Sequence, residues 1–182
     1  VRGLHGSRVT QSMFDGLRNT WNQTTEGIQK TKEDEAFKFQ INFLLRKEKF
    51  GLDEMIEMIK TGAEMQGYKG FRKHLPGTAN SPQVKEMKLH EDIVAAVPAK
   101  FRYAPHQVRG MDKIKLQKDL GLDAKDINKT FRMFKEMSLL HEWIRKRAEQ
   151  GKTIPQSSSE LTRVMMEAGA GVNRKFASMF RS

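Results

Sequence analysis

Few side chains in this sequence are spaced for catalysis. The five histidines, His5, His74, His90, His106 and His141, are scattered, with no H-x-x-x-H pair to place two imidazoles on one helical face for zinc. Zero cysteines remove thiolate nucleophiles, thiolate metal sites and disulfides. No serine stands in a G-x-S-x-G elbow, and no G-x-x-x-x-G-K-[ST] loop occurs to cradle a nucleotide. Asp53, Glu54 and Glu57 share a helical face and read as a solvated acidic surface rather than an acid/base pair. The expectation is a protein that is not an enzyme, with no catalytic residues, no metal, no cofactor and no bound nucleotide.

The remaining chemistry is that of binding, carried by methionine and lysine. Leu52, Met55, Ile56 and Ile59 fall at i, i+3, i+4 and i+7, one side of an amphipathic helix with Asp53, Glu54, Glu57 and Lys60 opposite. Gly62 is expected to end that helix. From there to His74 the chain spends Gly62, Gly67 and Gly70 while keeping Met65, Tyr68 and Phe71, and it closes on Leu75-Pro76-Gly77. A flexible backbone bearing large apolar groups is suited to closing over a ligand. A second apolar row, Met133, Met137, Leu140 and Ile144, runs beside Ile127, Phe131 and Phe134 in the longest predicted helix, Ala124–Arg147. Unbranched thioethers repack around apolar helices of differing shape, so the methionine row can wall a groove; both rows serving as core is the even alternative.

The elements that position these rows follow from periodicity and caps. The 33 Lys+Arg against 22 Asp+Glu give a net charge of +11, which favours a polyanion, either RNA or an anionic membrane surface. No apolar run approaches the roughly 20 residues of a spanning helix. Residues 1–12 read as a basic arm, followed by a short stripe of Phe14, Leu17 and Trp21. Glu33–Lys49 is predicted as a helix with Phe37, Ile41, Leu44 and Leu45 on one face. Val84–Val97 is predicted as another, with Val84, Met87, Val94 and Val97 inward and Pro98 and Pro105 bracketing a turn. Asp112 is expected to cap a short helix reaching about Asp119, Gly121 to end it, and Asp123 to cap the long one, a helix-turn-helix spelled by its caps. A linker, GKTIPQSSSE, then leads to a short helix through Leu161, Val164, Met165 and Ala168, capped by Ser158 or Ser159, and a basic, aromatic tail.

Two ungapped stretches resemble a known family. Phe50, Leu52 and Glu54, then the Gly- and Met-bearing Gly62–Lys73, then Leu75-Pro76-Gly77 resemble the opening of the M (methionine-rich) domain of the signal recognition particle protein. Pro105, Gly110, Gly121, Asp126-Ile127-Asn128, Phe131, Phe134 and Met137 are similar to that domain's second half, so the likeness spans about Phe50–Lys146. SMFDGLRNTW also looks like the start of the family's N-terminal domain, yet the GTPase between is missing. The turn Gly110–Gly121 departs from the family: Met111 and Asp112 replace Ser and Arg, and Leu120 stands where a small Ser is expected. An aspartate against phosphate opposes binding, and lysine lacks the planar fork of arginine.

The resemblance implies an all-α protein, a small helical bundle of the M-domain type with helix-turn-helix and extended terminal arms. Residues 1–48 would be an N-terminal basic arm and helices, 49–147 the M-domain-like domain, and 148–182 the linker, short helix and tail. It implies an apolar groove of Leu52, Met55, Ile56, Ile59, Met65, Tyr68, Phe71, Leu75, Met133, Met137 and Leu140. A weakened RNA surface would comprise Arg109, Lys113, Lys115, Lys118, Lys125 and Lys129. The implied role is a non-catalytic subunit of a ribonucleoprotein, a mitochondrial large ribosomal subunit near the nascent-chain exit. Its partners would be ribosomal RNA, ribosomal proteins, nascent hydrophobic chains and, peripherally, a membrane. The start at Val1 fits a processed precursor, and the mitochondrial matrix is the expected location, with chloroplast or cytoplasm the alternatives. The other implied role is a soluble targeting factor or chaperone for hydrophobic signal or transmembrane segments.

Overall fold

A computed structural model of the chain describes residues 29–65 and 82–167. Expectations for the N-terminal arm, the Trp21 stripe, Tyr68, Phe71, Leu75 and the C-terminal tail lie outside those residues. The described residues form helices, turns and loops with no strand, so the fold class is all-α. Six α-helices follow in order: α1 Gln29–Arg46, α2 Leu52–Ala63, α3 Pro82–Ala96, α4 Gly110–Leu120, α5 Ala124–Glu149 and α6 Ser158–Glu167. Asn42–Lys146 forms one compact unit; the described residues of Val1–Ile41 and Arg147–Ser182 belong to another.

In the larger unit, α2 starts where its amide ends are satisfied. The Gly51 N–H donates to Glu54 Oε2 at 2.8 Å, and Asp53 and Glu54 place negative charge on the first turn, where the helix dipole favours it. The Leu52 N–H donates to the Arg102 carbonyl at 2.8 Å. Arg102 in turn reaches Asp53 Oδ1 at 3.1 Å and the carbonyls of Val97 and Ala95, both at 3.3 Å. The segment after α3 is thereby bolted to the start of α2. Gly51 has to be glycine for this: a Cβ there would lie 2.8 Å from both the Arg102 oxygen and Tyr103 Cδ1. Gly62 does not end the helix as expected. It is buried within α2, and Glu64 keeps right-handed helical dihedrals, its N–H bonded to Lys60 and Thr61 oxygens.

Helix α3 opens on proline, whose absent N–H costs nothing in a first turn, and stops short of Pro98. It packs on α2, with Lys60 paired to Glu91 across the contact. Ile93, Val94 and Val97 are buried, but Val84 and Met87 are only half-buried, and His90, outside the expected set, is as fully enclosed as Ile93. Single turns of tight helix at Ala99–Phe101 and Pro105–Gln107 fill the proline-bracketed stretch. Helix α4 begins two residues before the expected Asp112. The N-cap is Arg109, and Asp112 serves from the third helical position, taking the Arg109 N–H on Oδ2 at 2.8 Å. Gly121, at φ +64°, ends α4 in the left-handed conformation, and the Leu122 N–H returns to the Gln117 oxygen at 3.1 Å.

Helix α5 follows Asp123, whose carbonyl takes the Asp126 and Ile127 N–H groups. Both of its apolar rows turn inward: Ile127, Phe134, Met137, Leu140 and Ile144 are buried. The Phe50 ring stacks on Phe134, centroids 6.1 Å apart, and on His141 at 5.5 Å. His141 Nε2 lies 2.7 Å from the Lys47 oxygen, which Arg145 also reaches at 3.0 Å. That carbonyl is claimed by α5 side chains, and α1 stops at Arg46 rather than running to Lys49. In the other unit Phe37, Ile41 and Leu161 are buried. The cap of α6 is Ser157, not Ser158 or Ser159; its Oγ accepts the Glu160 N–H at 3.2 Å, and Glu160 returns a carboxylate to the Gln156 N–H at 2.7 Å.

Candidate functional site

The two expected surfaces fare differently. Of the apolar set, Leu52, Met55, Ile56, Ile59, Met137 and Leu140 are all buried, Met133 is half-buried, and Met65, at the end of α2, is 61% exposed. Within the folded chain the first six side chains are enclosed rather than open to solvent. Met58, off the predicted stripe, is fully enclosed as well, so the covered face of α2 is broader than the four-residue stripe, while Asp53 and Glu57 stay exposed opposite it.

The cationic set runs along α4 and into the first turns of α5. Arg109, Lys115, Lys118 and Lys125 are exposed and make no ion pair among the described residues. Two expected members are drawn into the protein instead. Lys113 donates to Asn128 Oδ1 at 2.9 Å and sits 5.2 Å from the Phe131 ring centroid, so it clips α4 to α5. Lys129 pairs with Glu86 of α3. Its position on the helix places it opposite a carboxylate that sequence spacing alone could not reveal.

That pair opens onto a buried polar cluster which the sequence reading missed. His90 Nδ1 lies 2.8 Å from Thr130 Oγ1, and the Thr130 hydroxyl donates to the Asp126 carbonyl at 3.1 Å. A hydroxyl has one proton to give, so Nδ1 carries the hydrogen and Nε2 is left as an acceptor. Nε2 is buried without a hydrogen-bond partner, with Glu86 Oε1 3.7 Å away. Burial holds the His90 pKa below its ordinary value; Glu86 pushes it up and Lys129 down. The available signal was position: His90 sits three and four residues before Ile93 and Val94, on their inward face.

Glu136 is the other missed group. It is buried on α5, no hydrogen bond or ion pair holds its carboxyl among the described residues, and burial raises its pKa to about 7 against a weaker downward pull from Arg132. At the exposed edge, Tyr103 donates to Glu54 Oε1 at 2.7 Å, which raises the phenol's pKa. Among the described residues no three His, Cys, Asp or Glu side chains are grouped to hold a metal, and no helix is long and apolar enough to cross a membrane.

The site so defined is a helix-turn-helix with exposed cations, unpaired among the described residues, on its outside and a packed, largely apolar inside. Compared with known families and with curated proteins, the chain matches none at a significant level.

Proposed function

We propose that this chain is a non-catalytic subunit of a ribonucleoprotein, an M-domain derivative without the GTPase, held on ribosomal RNA among ribosomal proteins of a mitochondrial large subunit near the nascent-chain exit. The observation that carries this reading is the split between the two surfaces. Arg109, Lys115, Lys118 and Lys125 are exposed and make no ion pair among the described residues, while most of the apolar rows a signal sequence would need are buried. Cations of this kind neutralise phosphates without selecting a sequence, which suits a subunit locked into one RNA surface. The order of the motifs from Phe50 to Met137 supports descent from the signal-binding family, and the Asp112 that opposes phosphate supports loss of the ancestral RNA turn.

The test is sedimentation of the tagged full-length chain from native organelle extract. The expected result is co-migration with large ribosomal subunits that nuclease abolishes and that a Lys115→Glu, Lys118→Glu, Lys125→Glu variant loses. A chain found only in the free fraction refutes the reading. The targeting-factor alternative has one observation in its favour, the 61% exposure of Met65 beside the predicted closing loop. A photocrosslinker at Met65 that labels hydrophobic segments in the absence of ribosomes would establish it.

A further inference from the structure

Helix α4 carries an anomaly on its outer side. Met111 is 77% and Ile114 45% exposed, the largest apolar exposures of that helix, and they sit one turn apart at i and i+3. Lys115 and Lys118, at i+4 and i+7 from Met111, complete the same stripe, and both are exposed. The inner side is held by Leu116, buried, and by the Lys113 clip to Asn128 and Phe131. The stripe therefore cannot rotate inward. Two carboxylates flank it: Asp112, committed to the Arg109 N–H, and Asp119, exposed at the edge.

We propose that this outward face of α4 rests on an anionic phospholipid surface, with Met111 and Ile114 entering the acyl boundary and Lys115 and Lys118 reaching headgroup phosphates. Three physical points select that occupant. RNA gains from lysine but nothing from two aliphatic side chains, since bases are gripped by stacking on aromatic or guanidinium planes. A protein partner needs an interface on the order of 1,000 Å² with a packed apolar centre, and two side chains do not supply one. A bilayer interface demands neither shape complementarity nor area: it rewards a helix lying in its plane with apolar groups below and lysine stems snorkelling upward. The net charge of +11 draws the chain to such a surface before contact is made. This goes beyond the ribosomal reading: Lys115 and Lys118 serve both, so RNA and lipid are alternative occupants of this face, and Met111 and Ile114, which take no part in the RNA contact, tell the two apart.

The test uses the nuclease-treated full-length chain and vesicles of phosphatidylcholine with about 30% phosphatidylglycerol, against phosphatidylcholine alone. Charge alone will bring the chain to the anionic vesicles, so the decisive comparison is at constant charge. Met111→Ser with Ile114→Ser should lower vesicle partitioning by about tenfold or more while leaving sedimentation with ribosomes unchanged. Asp119→Asn, which removes the flanking carboxylate, should strengthen partitioning. Because the chain has zero cysteines, a Met111→Cys variant can carry a single environment-sensitive dye, with Glu142→Cys on exposed α5 surface as the control. A blue shift on anionic vesicles at 111 and none at 142 is expected. Undiminished binding of the double serine variant, or a dye at 111 that stays in water when the chain is bound, overturns the proposal.

Discussion

Replacing Glu136 by glutamine should make the protein more stable, and only above mildly acid pH. The side chain is 9% exposed and no hydrogen bond or ion pair holds its carboxyl among the described residues, so ionising it costs hydration that the charge of Arg132 offsets only in part. Its pKa stands at about 7 in the fold against an ordinary value of 4.5. The folded chain thus keeps a proton that the unfolded chain releases between those two values. Stability contributed by the neutral acid is fully present below pH 4.5 and is lost as pH rises through 7. At about 1.4 kcal/mol per pH unit of difference, the charged form costs up to about 3 kcal/mol at pH 8 and under about 1 kcal/mol at pH 5. Glutamine is nearly isosteric and stays neutral, so Glu136→Gln should gain most of that difference at pH 8 and little at pH 5. Urea unfolding followed by far-UV circular dichroism reads this directly. With a slope of about 2 kcal/mol/M, the midpoint should move up by roughly 1 to 1.5 M at pH 8. Every other titrating group is common to both proteins and cancels in the comparison. A variant whose advantage does not grow with pH, or which is less stable at pH 8, would refute the account of Glu136 as an uncompensated buried acid.

Other perturbations follow from the same coordinates. Thr130→Val should leave the His90 Nδ1–H buried without an acceptor and cost about 1–3 kcal/mol in urea unfolding, because the desolvation penalty is no longer offset. The lowered pKa of His90 means that stability should fall as pH drops below 6.5 toward the folded-state value, and imidazole nitrogen shifts in NMR should show an Nδ1–H tautomer that resists protonation where an exposed histidine titrates. Gly51→Ala should destabilise by about 1–3 kcal/mol in thermal melts, since a methyl would meet the Arg102 carbonyl and the Tyr103 ring at 2.8 Å. Met137→Ala, emptying a fully enclosed site, should cost about 2–4 kcal/mol by urea denaturation; a near-neutral result would mean that Met137 lines accessible space after all.

Sequence periodicity and caps were enough to place the helices and to end α4 at Gly121, because those signals are local: a 3.6-residue repeat and a residue able to take positive φ act within one or two turns. They misplaced the ends that tertiary contacts decide. Gly62 reads as a terminator in isolation, yet it lies buried within α2, and α1 stops where His141 and Arg145 take the Lys47 carbonyl. The same limit governs the site. That Met55 and Met137 are apolar and on one helical face is written in the chain; whether such a face is groove or core depends on what covers it, and only the folded arrangement shows both enclosed. Likewise six basic residues look equivalent in sequence, but Lys129 finds Glu86 on another helix and Lys113 finds Asn128 and Phe131, leaving four with no ion pair among the described residues. Composition determined that this protein is basic and without cysteine, and periodicity that it is helical. Tertiary structure alone decided which side chains lose their water, and with it the unusual protonation of Glu136 and His90, because desolvation is a property of surroundings and not of residue type.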